Sequence, residues 1–286
     1  MDRRHDLPGA RGGVTVAHPI GLAALTVLEL APPDMVSCAA EAGFDSIGLR
    51  LLPPTAEEIQ HPIVGDTALV RETARRLADT GMRVLDIELF RLKPDAVIAH
   101  YRAALETGAR FGAREALVAG NDPDEARLTE RFAAFCDLAG EYGIAANLEP
   151  MPWTDAKTFA QGVRIVEAAG RQSAGVVIDP IHFDRGGSRV DEIATVSPGR
   201  LRYMQLCDAP ALRPRDTETL LHHARAERMM PGDGGLDLAG IVRNVPPDIP
   251  ISLEIPMRTL TQSVPALART RQMLAKTRAL LQGIGR

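Results

Sequence analysis

At 286 residues the chain has room for one large domain or two small ones, and a single barrel of about 250 residues fits it. Apolar residues at 45% and charged residues at 24% lie in the range of ordinary globular proteins, which excludes a disordered, collagen-like or disulfide-scaffold chain. Thirty-three basic against thirty-seven acidic side chains give a net charge of -4, the wrong sign for a surface that draws its affinity from nucleic-acid phosphates, so no nucleic-acid partner is expected.

In chain order, Met1 to Gly13 mixes Gly and Pro with arginines and aspartates and reads as a loose start. The reading sets a flexible tail at 1–18 and a single domain at 19–286. The apolar stretch Ile20 to Leu30 is short and interrupted by Thr26 and Glu29, with neither the basic run nor the cleavage site of a signal peptide. Neither a leader nor a membrane span is expected. Three scattered cysteines, Cys38, Cys136 and Cys207, frame no disulfide core and suit a reducing cytoplasm.

Short β-type runs then alternate with helical stretches, the pattern of a parallel sheet. The expected strands are Leu22 to Leu28, Ser46 to Leu51, Val84 to Leu89, Glu115 to Val118, Ile144 to Leu148, Gly175 to Ile178, Leu201 to Leu206 and Ile249 to Leu253. Eight repeats of roughly 36 residues match a strand, a helix and two loops each, and the fold class is read as an α/β (β/α)₈ TIM barrel. Asp122-Pro123-Asp124-Glu125 predicts a helix start with Asp122 as cap and Pro123 in the first helical position. Leu128, Phe132, Phe135, Ala139 and Tyr142 form its inward stripe, and Leu267, Leu274 and Leu281 mark a last helix over Ala266 to Leu281. The connection from Cys207 to Pro247, rich in Gly and Pro, is the longest and reads as a functional loop.

In a barrel of parallel strands the chemistry gathers at the C-terminal strand ends. Acids stand there in number: Asp86 and Glu88 in strand three, Glu149 after strand five, Asp179 after strand six and Glu254 after strand eight. Converging carboxylates repel one another and call for a cation, and hard oxygen donors favour Mn²⁺ or Mg²⁺, with Co²⁺ or Zn²⁺ as further candidates. The expected cage is Glu149, Asp179, Gln205 and Glu254. Taken singly, an Asp before Pro caps a helix more often than it binds a metal, and a lone Glu is an ordinary ion pair. Their shared position behind strongly apolar runs is what favours the cage, because a lone charge is costly to bury there. His182, three residues beyond Asp179, can orient a hydroxyl or move a proton. Arg228 and Trp153 are read as substrate contacts against the alternatives of a solvated arginine and a core tryptophan; Glu88 has the weakest case, since Arg91 could pair with it. His222 and His223 are expected to face solvent, and His5, His18, His61 and His100 have no evident partner.

Between about residues 20 and 282 the chain resembles the sugar phosphate isomerase/epimerase family of xylose isomerase-like barrels. The resemblance rests on Ala39-Ala40-Glu41-Ala42-Gly43-Phe44-Asp45, Leu148-Glu149-Pro150, Ile178-Asp179-Pro180-Ile181-His182, Gln205-Leu206-Cys207-Asp208, Pro231-Gly232-Asp233-Gly234 and Leu253-Glu254. That family includes ketose 3-epimerases, inosose and dehydroshikimate dehydratases and endonuclease IV. The resemblance implies Glu149 and Glu254 as metal ligands and acid/base pair, Asp179 as a further ligand, His182 as a substrate contact and Arg228 as an anchor. Gln205 stands where many isomerases carry histidine and resembles the dehydratases; Met151 stands where those dehydratases carry histidine.

The resulting expectation is a metal-dependent isomerase or epimerase of a keto-sugar or polyol acting through an enediolate. The alternative is a dehydratase of a cyclic oxo-polyol, with a non-catalytic metal-binding barrel or an endonuclease behind it. A small sugar or polyol is the expected partner, with a homo-oligomer left open. The lack of a Gly-rich phosphate cradle favours an unphosphorylated substrate.

Overall fold

Eight short apolar runs pair in parallel: β1 (Ile20–Leu22), β2 (Ser46–Arg50), β3 (Arg83–Leu92), β4 (Glu115–Gly120), β5 (Ala145–Glu149), β6 (Ala174–Val176), β7 (Met204–Leu206) and β8 (Ile251–Leu253). A computed structural model describes residues 18–55 and 58–286, so the tail expected at 1–18 falls almost wholly outside the described residues, as does His5. The hydrogen-bonded order is β6-β5-β4-β3-β2-β1-β8-β7. The ends meet through a parallel bridge between Ile178 and Met204, with Gln205 N donating to Ile178 O at 2.9 Å. The sheet thus curls into a barrel. Most strands are buried along their whole length, as parallel strands between a barrel interior and an outer helical layer must be.

Strand boundaries differ from the sequence reading in both directions. After Leu22 the chain turns into a 3₁₀ segment over Ala24–Val27, so of the strand expected at Leu22 to Leu28 only Leu22 is paired, and the strand itself lies earlier, at Ile20–Leu22. Strand β3 is longer than expected, running on to Leu92, whereas the seventh is confined to Met204–Leu206. Hydrophobicity marks burial; the extent of pairing is set by the neighbour's register.

The helices are α1 (Pro32–Ala42), α2 (Ala68–Thr80), α3 (Arg102–Arg110), α4 (Glu125–Gly140), α5 (Phe159–Ala169), α6 (Pro180–Arg185), α7 (Thr217–Arg225), α8 (Leu238–Asn244), α9 (Arg258–Thr261) and α10 (Ala266–Gly283). Helix α4 begins two residues later than the expected start: Asp124 is its cap and accepts from Arg127 N at 3.1 Å. Asp122 instead binds Arg127 Nη2 at 2.6 Å and Arg131 Nη1 at 3.1 Å. Leu128, Phe132, Phe135 and Ala139 face the core as predicted, while Tyr142 lies beyond the helix end. Helix α10 packs on α1, with Leu274 and Leu281 buried and Leu267 only half-buried; Thr270, Met273 and Thr277 complete its inner face. The long connection between β7 and β8 is not a bare loop but carries α7 and α8. Among the described residues no helix is long and apolar enough to cross a membrane.

Candidate metal centre and its cavity

Each strand-end acid is placed by the element that precedes it. Glu149 closes β5, and Glu254 follows β8 directly. Asp179 caps α6, accepting from Ile181 N at 3.0 Å, and His182 stands on the first turn of that helix. The capping role and the site role of Asp179 therefore coexist: one oxygen holds the helix and the other faces the barrel mouth. Gln205 is the central residue of β7.

One ligand atom from each of Glu149, Asp179, His182 and Glu254 lies within 4.8 Å of every other, and all four residues are buried. His182 Nε2 is 3.6 Å from both Glu149 Oε1 and Asp179 Oδ2. Gln205 Nε2 donates to Glu254 Oε1 at 3.1 Å, which brings the amide into the same cluster. Arg228, also buried, bridges the acids: Nη1 lies 2.6 Å from Asp179 Oδ2 and Nη2 lies 2.7 Å from Glu254 Oε2. Its Nε donates to Ala224 O at 2.7 Å, so the guanidinium is held from both sides.

Burial and the repulsion of Glu254 and Asp179 push the Glu149 carboxyl well above its usual range. Burial also lifts Glu254, to about 7, against the opposing pull of Arg228. Burial acts in the same direction on Asp179, but Arg228 and His182 outweigh it and hold that carboxyl below the usual range. His182 is pushed down to about 4, chiefly by burial, so its ring is neutral at pH 7. Three acids and one arginine leave an excess of negative charge that only protons or a further cation can balance.

The residues fit a divalent cation. Glu149 Oε1 and Gln205 Oε1 are buried acceptors without a hydrogen-bond partner, and His182 Nδ1 is equally unpartnered. Unsatisfied buried oxygens are costly, and a hard cation satisfies several at once. Glu149, Asp179, Gln205 and Glu254 would hold it; His182 adds a nitrogen donor that widens the choice toward borderline metals.

Glu149, His182, Arg228 and Glu254 of the cluster line a cavity of about 460 Å³, within the range of small-molecule sites, and Asp179 and Gln205 stand behind them. Trp153 lines it and meets the His182 ring edge-to-face at 4.8 Å, so the tryptophan is half core and half pocket wall. Glu88 is buried nearby, and its partner is not Arg91: Arg50 Nη2 lies 2.9 Å from Glu88 Oε1 and Arg50 also binds Glu58. Arg91 is directed elsewhere, to Asn121 Oδ1 and Pro54 O. The register of β2 against β3 sets Arg50 opposite Glu88, a pairing that sequence spacing does not reveal. Of the other histidines, His18, which has no partner evident from sequence, places its Nδ1 2.8 Å from Ile249 O. His222 and His223 lie on α7, the first exposed and the second half-buried.

Sequence reasoning missed Asp208, which is buried and accepts from the backbone N–H groups of Ala209, Gly232, Gly234 and Leu236 at 2.9–3.1 Å. It ties the Gly-rich turn after Arg228 to the end of β7, and Asp208 and Met229 exchange backbone hydrogen bonds. An acid at a strand end followed by a distant Pro-Gly-Asp-Gly-Gly was the available signal. Arg50, Arg91 and Arg225, which also line the cavity, were missed as well.

Comparison with known proteins agrees with this fold. The family model described as a xylose isomerase-like TIM barrel matches residues 36–280. A 3-dehydroshikimate dehydratase from Pseudomonas aeruginosa is 24% identical over 239 residues, covering 78% of this chain and 36% of the dehydratase. An inosose isomerase from Bacillus velezensis is 25% identical over 154 residues, covering 50% of this chain and 52% of the isomerase. The chain therefore spans about a third to a half of the length of these curated relatives within the matched regions. Among solved structures, the IolI protein with a binding zinc atom superposes with a TM-score of 0.74 at 16% identity, covering 93% of this chain and 98% of that one.

Proposed function

Since the chain belongs to the xylose isomerase-like TIM-barrel family, we propose that it is a divalent-metal-dependent isomerase or epimerase that removes a proton next to the carbonyl of a keto-sugar or related polyol. The observation that carries this reading is the convergence of Glu149, Asp179, His182 and Glu254 in one buried cluster, of which Glu149, His182 and Glu254 line the cavity, with unpartnered oxygens on Glu149 and Gln205.

When bound, a divalent ion supplies Lewis acidity that draws charge from the substrate carbonyl and so acidifies the adjacent C–H. The chain's own residues supply the rest. Glu149 and Glu254 come from strands that are not neighbours in the sheet, β5 and β8, and both line the cavity. One carboxylate takes the proton and the other returns one, which is the division of labour an epimerisation needs. Gln205 steadies Glu254 through its amide, and Arg228 holds Asp179 and Glu254 in place. Trp153 and Leu117 give the cavity apolar walls that limit water near the reacting carbon.

A second reading is dehydration, in which a hydroxyl leaves from the carbon beyond the new carbanion. Gln205 at the strand-seven position favours it, with His182, which lines the cavity beside Glu149, as the base. The Pseudomonas relative named as a dehydratase supports the same reading.

The test is incubation of the Mn²⁺-loaded protein with ketoses, inososes and 3-dehydroshikimate in D₂O, followed by NMR. Deuterium at the α carbon with all oxygens retained selects the isomerase; loss of water selects the dehydratase. Neither change with any substrate, in protein shown to bind Mn²⁺, would remove the enzymatic reading. Glu149→Gln and Glu254→Gln are each expected to weaken Mn²⁺ binding and abolish exchange.

A further inference from the structure

The outer part of the same cavity is lined by arginines that the metal centre does not use. Arg228 is bound to Asp179 and Glu254, and Arg50 to Glu58 and Glu88. Arg91, Arg225 and Arg258 also line the cavity, and among the described residues none of the three has a carboxylate within ion-pair distance. The acids on the same lining are committed: Glu29 to Arg269, Glu58 to Arg50, and Glu149 and Glu254 to the metal centre.

Arg225 is the best placed of the three. It ends α7 and its guanidinium carbon lies 5.6 Å from the centre of the Trp153 ring, which in turn abuts His182. Stacking on an indole leaves the in-plane N–H donors of a guanidinium free for a second partner. Arg91 is fixed from behind by Asn121 and Pro54, so it too presents a positioned cation. Burial and the like charge of Arg91 lower the affinity of Arg225 for its proton, and Glu58 opposes them.

We propose that Arg225 and Arg91 form the end of the substrate site that binds a carboxylate, so that the substrate is a polyhydroxylated oxo-acid with its ketone directed at the metal centre. This rests on the proposed function, of which it specifies the substrate class. A carboxylate matches the planar fork of a guanidinium with two parallel hydrogen bonds. A phosphate is the less suitable occupant, because no glycine is among the cavity's lining residues and a phosphate cradle is built from closely approaching backbone N–H groups.

The test measures binding by calorimetry to the Mn²⁺-loaded protein and needs no turnover. Quinate is compared with quinamide, its uncharged counterpart, and myo-inositol 1-phosphate with myo-inositol, on wild type, Arg225→Gln and Arg91→Gln. Quinate is expected to bind about tenfold or more tightly than quinamide, and most of that preference should vanish in R225Q, with a smaller loss in R91Q. Mn²⁺ affinity should be kept in both variants. Equal affinity for acid and amide in wild type, or no binding of quinate, overturns the assignment. A preference that survives both substitutions overturns it too, because the metal itself would then be the anion's partner. A preference for the inositol phosphate over quinate, lost in R225Q, replaces carboxylate by phosphate and overturns the substrate class. Failure of Mn²⁺ to bind wild type would sink the underlying metal reading instead, and so is distinguishable from every outcome above.

Discussion

Arg228 sits with Nη1 2.6 Å from Asp179 Oδ2 while its Nη2 is 2.7 Å from Glu254 Oε2, so one guanidinium joins two carboxylates that strands six and eight bring to the barrel mouth. Without a metal it is the principal counter-charge of the cluster. Removing one member of a buried, hydrogen-bonded charge group costs about 3–5 kcal/mol. Arg228→Met should therefore unfold at lower temperature than wild type in metal-free buffer. Addition of Mn²⁺ should raise its melting temperature by more than it raises that of wild type, because the cation takes over the lost neutralisation. Calorimetry with and without Mn²⁺ checks this; equal metal-induced shifts would mean that Arg228 and the metal do not share a charge-balancing role.

Asp208 makes four hydrogen bonds to backbone N–H groups across the turn that follows Arg228. Asp208→Ala would leave those donors without their acceptor, though the turn can partly rehydrate. A loss of about 2–4 kcal/mol in urea unfolding is expected, together with faster proteolytic cleavage near Pro231 to Leu236. A variant as stable and as protease-resistant as wild type would show that the turn holds itself.

The carboxyl of Asp122 lies below its usual range, first because Arg127 hydrogen-bonds it and against the opposing effect of burial. A carboxyl depressed in the folded state stabilises the fold above its unfolded pKa and loses that contribution as pH falls through the folded value. Urea unfolding of wild type and Asp122→Asn should differ at pH 6 and converge as the pH drops below about 4. A stability gap that does not change with pH would mean that shape rather than charge accounts for the pairing with Arg127 and Arg131.

All three thiols are buried and free. Burial pushes Cys136 up to about 12, Cys207 well above the usual thiol range and Cys38 more modestly upward, since Thr270 opposes it there. Thiolate is the reactive form, so the native protein should react negligibly with a disulfide reagent at pH 8 and release three equivalents once denatured. Cys38, the most accessible of the three at 8%, should be the first to react on partial unfolding.

The pattern of the sequence carried the barrel and most of the buried cluster at its mouth: eight apolar runs separated by helix-length stretches admit few other folds, and Glu149, Asp179, Gln205 and Glu254 could be picked out because each lies in or just past such a run. That information is local. A charged residue following a buried strand is anomalous in its own neighbourhood, and the neighbourhood is visible in the chain.

Only the tertiary structure decided which charges meet. Arg228 reaches Asp179 across 49 residues and Glu88 turns to Arg50 rather than to the nearby Arg91, because strand register and the path of the long connection fix those partners. Arg91, Arg225 and Arg258, which have no carboxylate partner among the described residues, became recognisable in the same way. Whether a cation is neutralised depends on atoms a few ångströms away in space, and Coulomb interaction at that range is blind to sequence order.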